Sequence, residues 1–170
     1  MTLSVLDAKT LRRLRFVLGF FIFGLAVSGI TAFPLAREME LLVSALGLNQ
    51  PMASGSYSVL GFWIRTVHEG LKEVYAAHPW IAYGTDWLAF AHIIIALFFV
   101  GPLVDPVRNV WILKAGLIAC FLVVPLAMVC GAIRGIPLGW RLIDCSFGVF
   151  GAIPLYYCLR LTKKLEGSQK

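Results

Sequence analysis

A chain of 170 residues in which 59% are hydrophobic and only 14% charged, with a mean hydropathy of +0.84, carries more apolar surface than a water-soluble domain can hide. Four membrane spans of about 20 residues each would use roughly half of that length, so one membrane domain covering residues 1–170 is expected and no second folded domain. The net charge of +6 is not arranged as a basic stripe interleaved with aromatics, which argues against nucleic acid as a partner.

The first apolar run covers residues 16–33, preceded by Lys9, Arg12, Arg13 and Arg15 and closed by Pro34. It is longer than the apolar core of a cleaved signal peptide and has no small-residue cleavage site before Pro34, so it is expected to be retained as a span. Residues 34–79 form the one large loop. Within it, residues 35–46 read as a short helix with acidic residues in the first turns, where the helix dipole favours them. A turn-rich stretch from Asn49 to Ser56 follows. Leu60, Trp63, Ile64, Val67, Leu71, Val74 and Tyr75 then recur every three or four residues, the pattern of an amphipathic helix, with Arg65, His68, Glu69, Lys72 and Glu73 on much of the remaining surface. Such a helix is expected to lie on the leaflet or cap the bundle; the sharper alternative is a lid over a site between spans.

The remaining spans are expected at residues 80–104, 111–131 and 140–159, with Trp80, Trp111 and Trp140 at their heads, where an indole prefers the headgroup region. The fold class is therefore all-α, a polytopic antiparallel bundle of four transmembrane helices with one or two amphipathic helices in the loop. An inside N-terminus places Lys9, Arg12, Arg13, Arg15, Arg108, Lys114, Arg160, Lys163, Lys164 and Lys170 at the cytoplasmic face, and Arg37, Arg65, Lys72, Arg134 and Arg141 outside. Ten against five obeys the positive-inside rule and puts both termini in the cytoplasm.

Ionisable residues inside spans are functional candidates because they are costly there. At about 1.5 Å per residue, Asp86 lies about 9 Å below Trp80 and Asp144 about 6 Å below Trp140. Arg134 and Arg141 flank the short loop between the last two spans, Arg141 is three residues from Asp144, and Tyr83 is three from Asp86. Tyr83, Asp86, His92, Arg134, Arg141 and Asp144 are the candidate site, either an ionic cluster that pins helix ends or a pocket for a polar headgroup. Ligand recognition ranks above proton transfer, because arginines nearby keep both acids ionised and suit an anion such as phosphate. No residue earns a catalytic assignment.

His92 falls about 18 Å below Trp80, near the bilayer midplane. Haem held between helices needs a second axial ligand from a facing span, and His68 and His78 belong to the loop. A packing histidine beside Thr85 and Ala89 is therefore expected, with neither cofactor nor metal. Antiparallel spans joined near Ile136 and Pro137 put Cys130 level with Cys145 and Cys120 level with Cys158; apolar packing is the expectation and a Cys130–Cys145 disulfide the alternative. No C-x-x-C is present. Gly24 with Ser28, Ala115 with Ala119, and Gly148 with Ala152 offer small-residue faces for helix contact. Pro125 sits mid-span and removes the usual donor to the Phe121 carbonyl, a place for a kink.

The stretch Ala82-Tyr83-Gly84-Thr85-Asp86-Trp87-Leu88-Ala89-Phe90-Ala91-His92, together with Asp105-Pro106-Val107-Arg108-Asn109 and Arg141-Leu142-Ile143-Asp144-Cys145-Ser146-Phe147-Gly148, resembles a family of small four-helix bacterial inner-membrane proteins without a known activity. The resemblance covers mainly residues 80–150. It implies an inner-membrane location and no ligand or reaction. The leading functional expectation is a structural or accessory subunit in contact with lipids, other membrane subunits or further copies of itself. A lipid-binding or small-molecule-binding protein or enzyme using the polar cluster is the alternative, and an oligomeric transporter a weaker one.

Overall fold

The computed structural model describes residues 5–49 and 58–168. The turn-rich residues 50–56 and the terminal Lys170 lie outside the described residues. Seven α-helices are present among those described: α1 Val5–Ala32, α2 Leu35–Ala45, α3 Val59–Ala77, α4 Ala82–Phe98, α5 Val100–Val104, α6 Val110–Ile133 and α7 Leu138–Gly167. A 3-10 turn, Pro79–Ile81, leads into α4, and there is no strand among the described residues. Four stretches are long and apolar enough to cross a bilayer: Asp7–Ala32, Pro79–Val104, Val110–Ile133 and Leu138–Gly167. The chain is thus an all-α, polytopic membrane protein.

The helices run past the expected span limits at their basic ends. α1 takes in Lys9, Arg12 and Arg13, and α7 continues through Arg160, Lys163 and Lys164. Lysine and arginine are good helix formers whose long stems reach back along apolar surface while their charges stay wet, so the charge that ends a span need not end the helix.

Two compact units divide the chain, residues 1–26 with 94–170 and residues 27–93. In the first, Leu14 and Leu18 of α1, Phe99, Leu113 of α6, and Leu155, Cys158, Leu161 and Leu165 of α7 form one buried cluster. Phe21 stands edge-on to Phe99 with ring centroids 5.0 Å apart. The Arg15 guanidinium donates to the carbonyls of Leu103 and Val104 at 3.1 and 3.2 Å. It thereby covers the C-terminal carbonyls of α5, where a cation also meets the negative end of the helix dipole. α6 and α7 are packed neighbours. Their link is a Schellman ending: Gly135, at φ 71°, donates its N–H to Ala132 O at 3.2 Å, and Ile136 donates to Gly131 O at 2.9 Å.

Helix contact rests largely on other small residues than the sequence pairs suggest, Gly116, Gly131 and Gly151 among them. A Cβ at Gly148 would collide with the backbone carbonyl of Cys120, so this glycine marks the close approach of α7 to α6. Gly24 has nothing within 4 Å of its would-be Cβ, and Ser28, Ala115 and Ala119 are exposed. Spacing by four selects a face but does not say which face meets a neighbour. α6 is continuous through Pro125, which is exposed.

In the unit of residues 27–93, α2 packs on α3 through Met39, Val43, Leu48 and Ile64, all buried. Gly47, at φ 65°, ends α2 with the same two-bond motif, Gly47 N–H to Ser44 O and Leu48 N–H to Val43 O. Ser58 caps α3 by accepting from Gly61 N–H at 3.1 Å. Arg65 pairs with Glu69 at 2.7 Å and also donates to Leu48 O, which ties α3 to the end of α2. The Tyr75 hydroxyl lies 3.3 Å from Thr85 Oγ1, joining the end of α3 to the first turn of α4. α3 is the amphipathic helix expected from its periodicity.

Candidate functional site

The six candidate residues fall into separate units. Tyr83, Asp86 and His92 belong to residues 27–93, and Arg134, Arg141 and Asp144 to the other unit.

Asp86 is half-buried on α4 and lines an apolar groove of about 270 Å³ with Phe33, Tyr83, Trp87 and Phe90. The rings are ordered edge to face: Tyr83 to Trp87 at 6.0 Å and 84°, and Trp87 to Phe90 at 6.0 Å and 88°. Residues 83, 87 and 90 share one face because they are spaced by four and three, and the turn that follows α1 contributes Phe33. Among the described residues Asp86 has neither a hydrogen-bond nor an ion-pair partner. An ionised carboxylate beside aromatic faces can hold a cation by direct pairing, while the rings add attraction of about 0.5–2 kcal/mol according to desolvation. Tyr83 was a sequence candidate. Trp87 and Phe90 were legible from their spacing around Asp86; Phe33 was not, because only tertiary packing brings the turn after α1 there.

His92 is half-buried, and its Nδ1 lies 2.8 Å from Leu88 O on its own helix. A Cβ at Gly29 would come within 3.0 Å of His92 Cβ and Ile93 Cγ1 and 2.9 Å of the Ala89 carbonyl oxygen, so His92 stands where α1 crosses α4. Thr85 is occupied elsewhere, donating to Ala82 O at 2.7 Å. Gly29 is thus the close-approach residue of α1, one position beyond the expected Ser28.

Arg141 turns away from Asp144 despite the three-residue spacing. Its Nη1 donates to the Met128 carbonyl on α6 at 3.3 Å, and its Cγ and Cδ lie over Gly131. Its Nε is buried without a partner. Among the described residues neither Arg141 nor Arg134 comes within ion-pairing distance of Asp144. Arg134 is exposed at the C-cap of α6. All four cysteines are free thiols, Cys130 exposed, Cys120 and Cys145 half-buried and Cys158 buried. Among the described residues no three His, Cys, Asp or Glu side chains converge as a metal site.

A second polar cleft, of about 380 Å³, lies between α2 and α3 and is lined by Ala36, Arg37, Glu40, His68 and Lys72. By spacing alone His68 and Lys72 belong to the polar surface of the amphipathic α3, and only the pairing of α2 with α3 turns them toward one space with Arg37 and Glu40.

Fold and sites together define a four-span, all-α membrane protein with an aromatic groove around one carboxylate. No protein-family model, curated protein or solved structure matches the chain.

Proposed function

We propose that the protein is a ligand-recognition protein of a bacterial inner membrane, in which Asp86 and the rings of Phe33, Tyr83, Trp87 and Phe90 hold the amine of a lipid or small amphiphile. The observation that supports this most is a half-buried carboxylate inside a span, set among four aromatic side chains and without a partner among the described residues. Keeping a charge in that place is costly, and a cationic ligand offsets the cost. The groove is shallow and widely open, which suits an amphiphile arriving laterally from the bilayer. Among the described residues no Ser, Cys, Lys or His lines the groove beside Asp86, which favours recognition over chemistry.

The same opening supports a second reading, an accessory subunit whose Asp86 pairs with a Lys, Arg or His on a helix of another membrane subunit or of a second copy. Dodecylamine and dodecanol differ only in the headgroup and separate these readings. A ligand-recognition protein in neutral detergent should show saturable quenching of its tryptophan fluorescence by dodecylamine, at least tenfold tighter than by dodecanol. Asp86→Asn should abolish the difference while retaining the helical circular dichroism of the parent. Equal affinities for the two probes, or an unaltered preference in Asp86→Asn, would count against recognition. Loss of a co-purifying partner in the variant would favour the subunit reading.

A further inference from the structure

We infer that the cleft between α2 and α3 is a separate anion site that takes a phosphate-bearing group, through Arg37 of α2 and Lys72 of α3. Four features carry this. Two cations and one carboxylate, Glu40, face one space of about 380 Å³, within the usual range of small-molecule sites, about 300–1,000 Å³. Among the described residues none of Arg37, Glu40 and Lys72 has an ion-pair partner, whereas Arg65 and Glu69 on the same α3 have found each other at 2.7 Å. Positive charge therefore exceeds negative in the cleft by one. Finally, His68 lines the cleft beside the two cations, and an imidazole N–H can donate to a phosphate oxygen.

Phosphate matches this donor set. A guanidinium presents a planar fork to two phosphate oxygens, and a lysine ammonium adds a mobile point charge for a third. Glu40 disfavours a ligand with more negative charge than the cations neutralise, which suits a singly charged phosphodiester. The position agrees as well. Arg37 follows Ala32, the last residue of the first span, by five residues, and at most about 3.6 Å per residue keeps it within about 18 Å of the membrane end of that helix. A lipid phosphodiester and free phosphate are both within reach of such a site.

The full chain, purified in neutral detergent and phosphate-free buffer, is titrated with dihexanoyl-phosphatidylglycerol and, separately, with inorganic phosphate, reading the ligand-dependent rise in Tm. The expected result is saturable stabilisation by the lipid probe. The double variant R37Q/K72Q should weaken it at least tenfold, and Glu40→Gln should leave it equal or tighter. Stabilisation by inorganic phosphate as well would show that the phosphate group alone is recognised, and stabilisation by the lipid probe alone would fix the ligand as a phospholipid headgroup. Wild-type affinity in the double variant would overturn the assignment, as would weaker binding in Glu40→Gln or no saturable response to either probe. If R37Q/K72Q does not reach the parent circular dichroism, the single variants Arg37→Gln and Lys72→Gln are read in its place, each expected to weaken binding severalfold.

Discussion

A glycine in a membrane helix can be a tolerated flaw or a contact that nothing larger can make, and its neighbours tell the two apart. At Gly148 the obstruction to a Cβ is the backbone carbonyl of Cys120, which cannot rotate aside, so α7 must withdraw from α6 to admit even a methyl group. Overpacking of that kind costs about 1–3 kcal/mol. Gly24 is the opposite case, in mid-helix with open space where a Cβ would stand, and exchanging glycine for alanine there recovers helix propensity of about 1 kcal/mol. Gly148→Ala should accordingly lower the detergent Tm clearly and Gly24→Ala should leave it unchanged or raise it. Equal responses of the two variants would mean that the α6–α7 contact is looser than described. The two glycines look alike in sequence, since each belongs to a small-residue pair spaced by four. The difference lies in which face of the helix meets a neighbour, and local spacing carries no such information. Arg141 teaches the same lesson: three-residue spacing permits a pair with Asp144, but the Met128 carbonyl on α6 is the partner it takes.

Elements were legible wherever their cause is local. A bilayer demands about 20 apolar residues in succession, and the four spans announce themselves in any window of that size. α3 is equally plain, because period-3.6 apolar spacing is a property of one segment. Its helix is held at the start by Ser58, whose hydroxyl accepts from Gly61 N–H at 3.1 Å. Removing that acceptor in Ser58→Ala should cost about 1 kcal/mol and speed amide hydrogen exchange in the first turn of α3, while exchange in α6 stays at the parent rate. If protection is lost evenly along α3, the helix is held by its packing on α2 and the cap contributes little. What sequence could not show is the pairing of α2 with α3. Arg37 and Glu40 on one helix and His68 and Lys72 on the other read as two solvated faces until a turn at Gly47 and the Arg65 bond to Leu48 bring them to one cleft. The aromatic groove lies between these extremes, three of its rings following from spacing on α4 and the fourth, Phe33, arriving from the turn after α1.

For the molecule as a whole, the arrangement with most consequence is its sidedness, because it decides whether the groove at Asp86 and the α2–α3 cleft meet the cytoplasm or the outside. Lysine and arginine counted near span ends set orientation, and carboxylates contribute little. The head of α1 carries Lys9, Arg12, Arg13 and Arg15, and the tail of α7 carries Arg160, Lys163 and Lys164. An even number of spans returns the chain to its starting side, so both groups favour the same side, and the positive-inside rule predicts cytoplasmic termini. A fluorescent protein fused after Ser168 should therefore be bright, and alkaline phosphatase fused after Ala77 should be active, since the enzyme needs an oxidising compartment for its disulfides. The reverse pair of signals would invert the topology and turn both polar sites toward the cytoplasm. Arg15 must be spared in testing the cause, because its guanidinium also covers the carbonyls of Leu103 and Val104 and its loss would confuse orientation with packing. Replacing Lys9, Arg12 and Arg13 by Gln leaves that bond intact and removes three charges, each worth about 1 kcal/mol at an anionic surface. If those charges set the orientation, the triple variant should give a mixed population, dim at the C-terminal reporter and weaker at the loop reporter. If the basic tail of α7 suffices by itself, both reporters should keep their parent signals, and the orienting charge would then lie at residues 160–164.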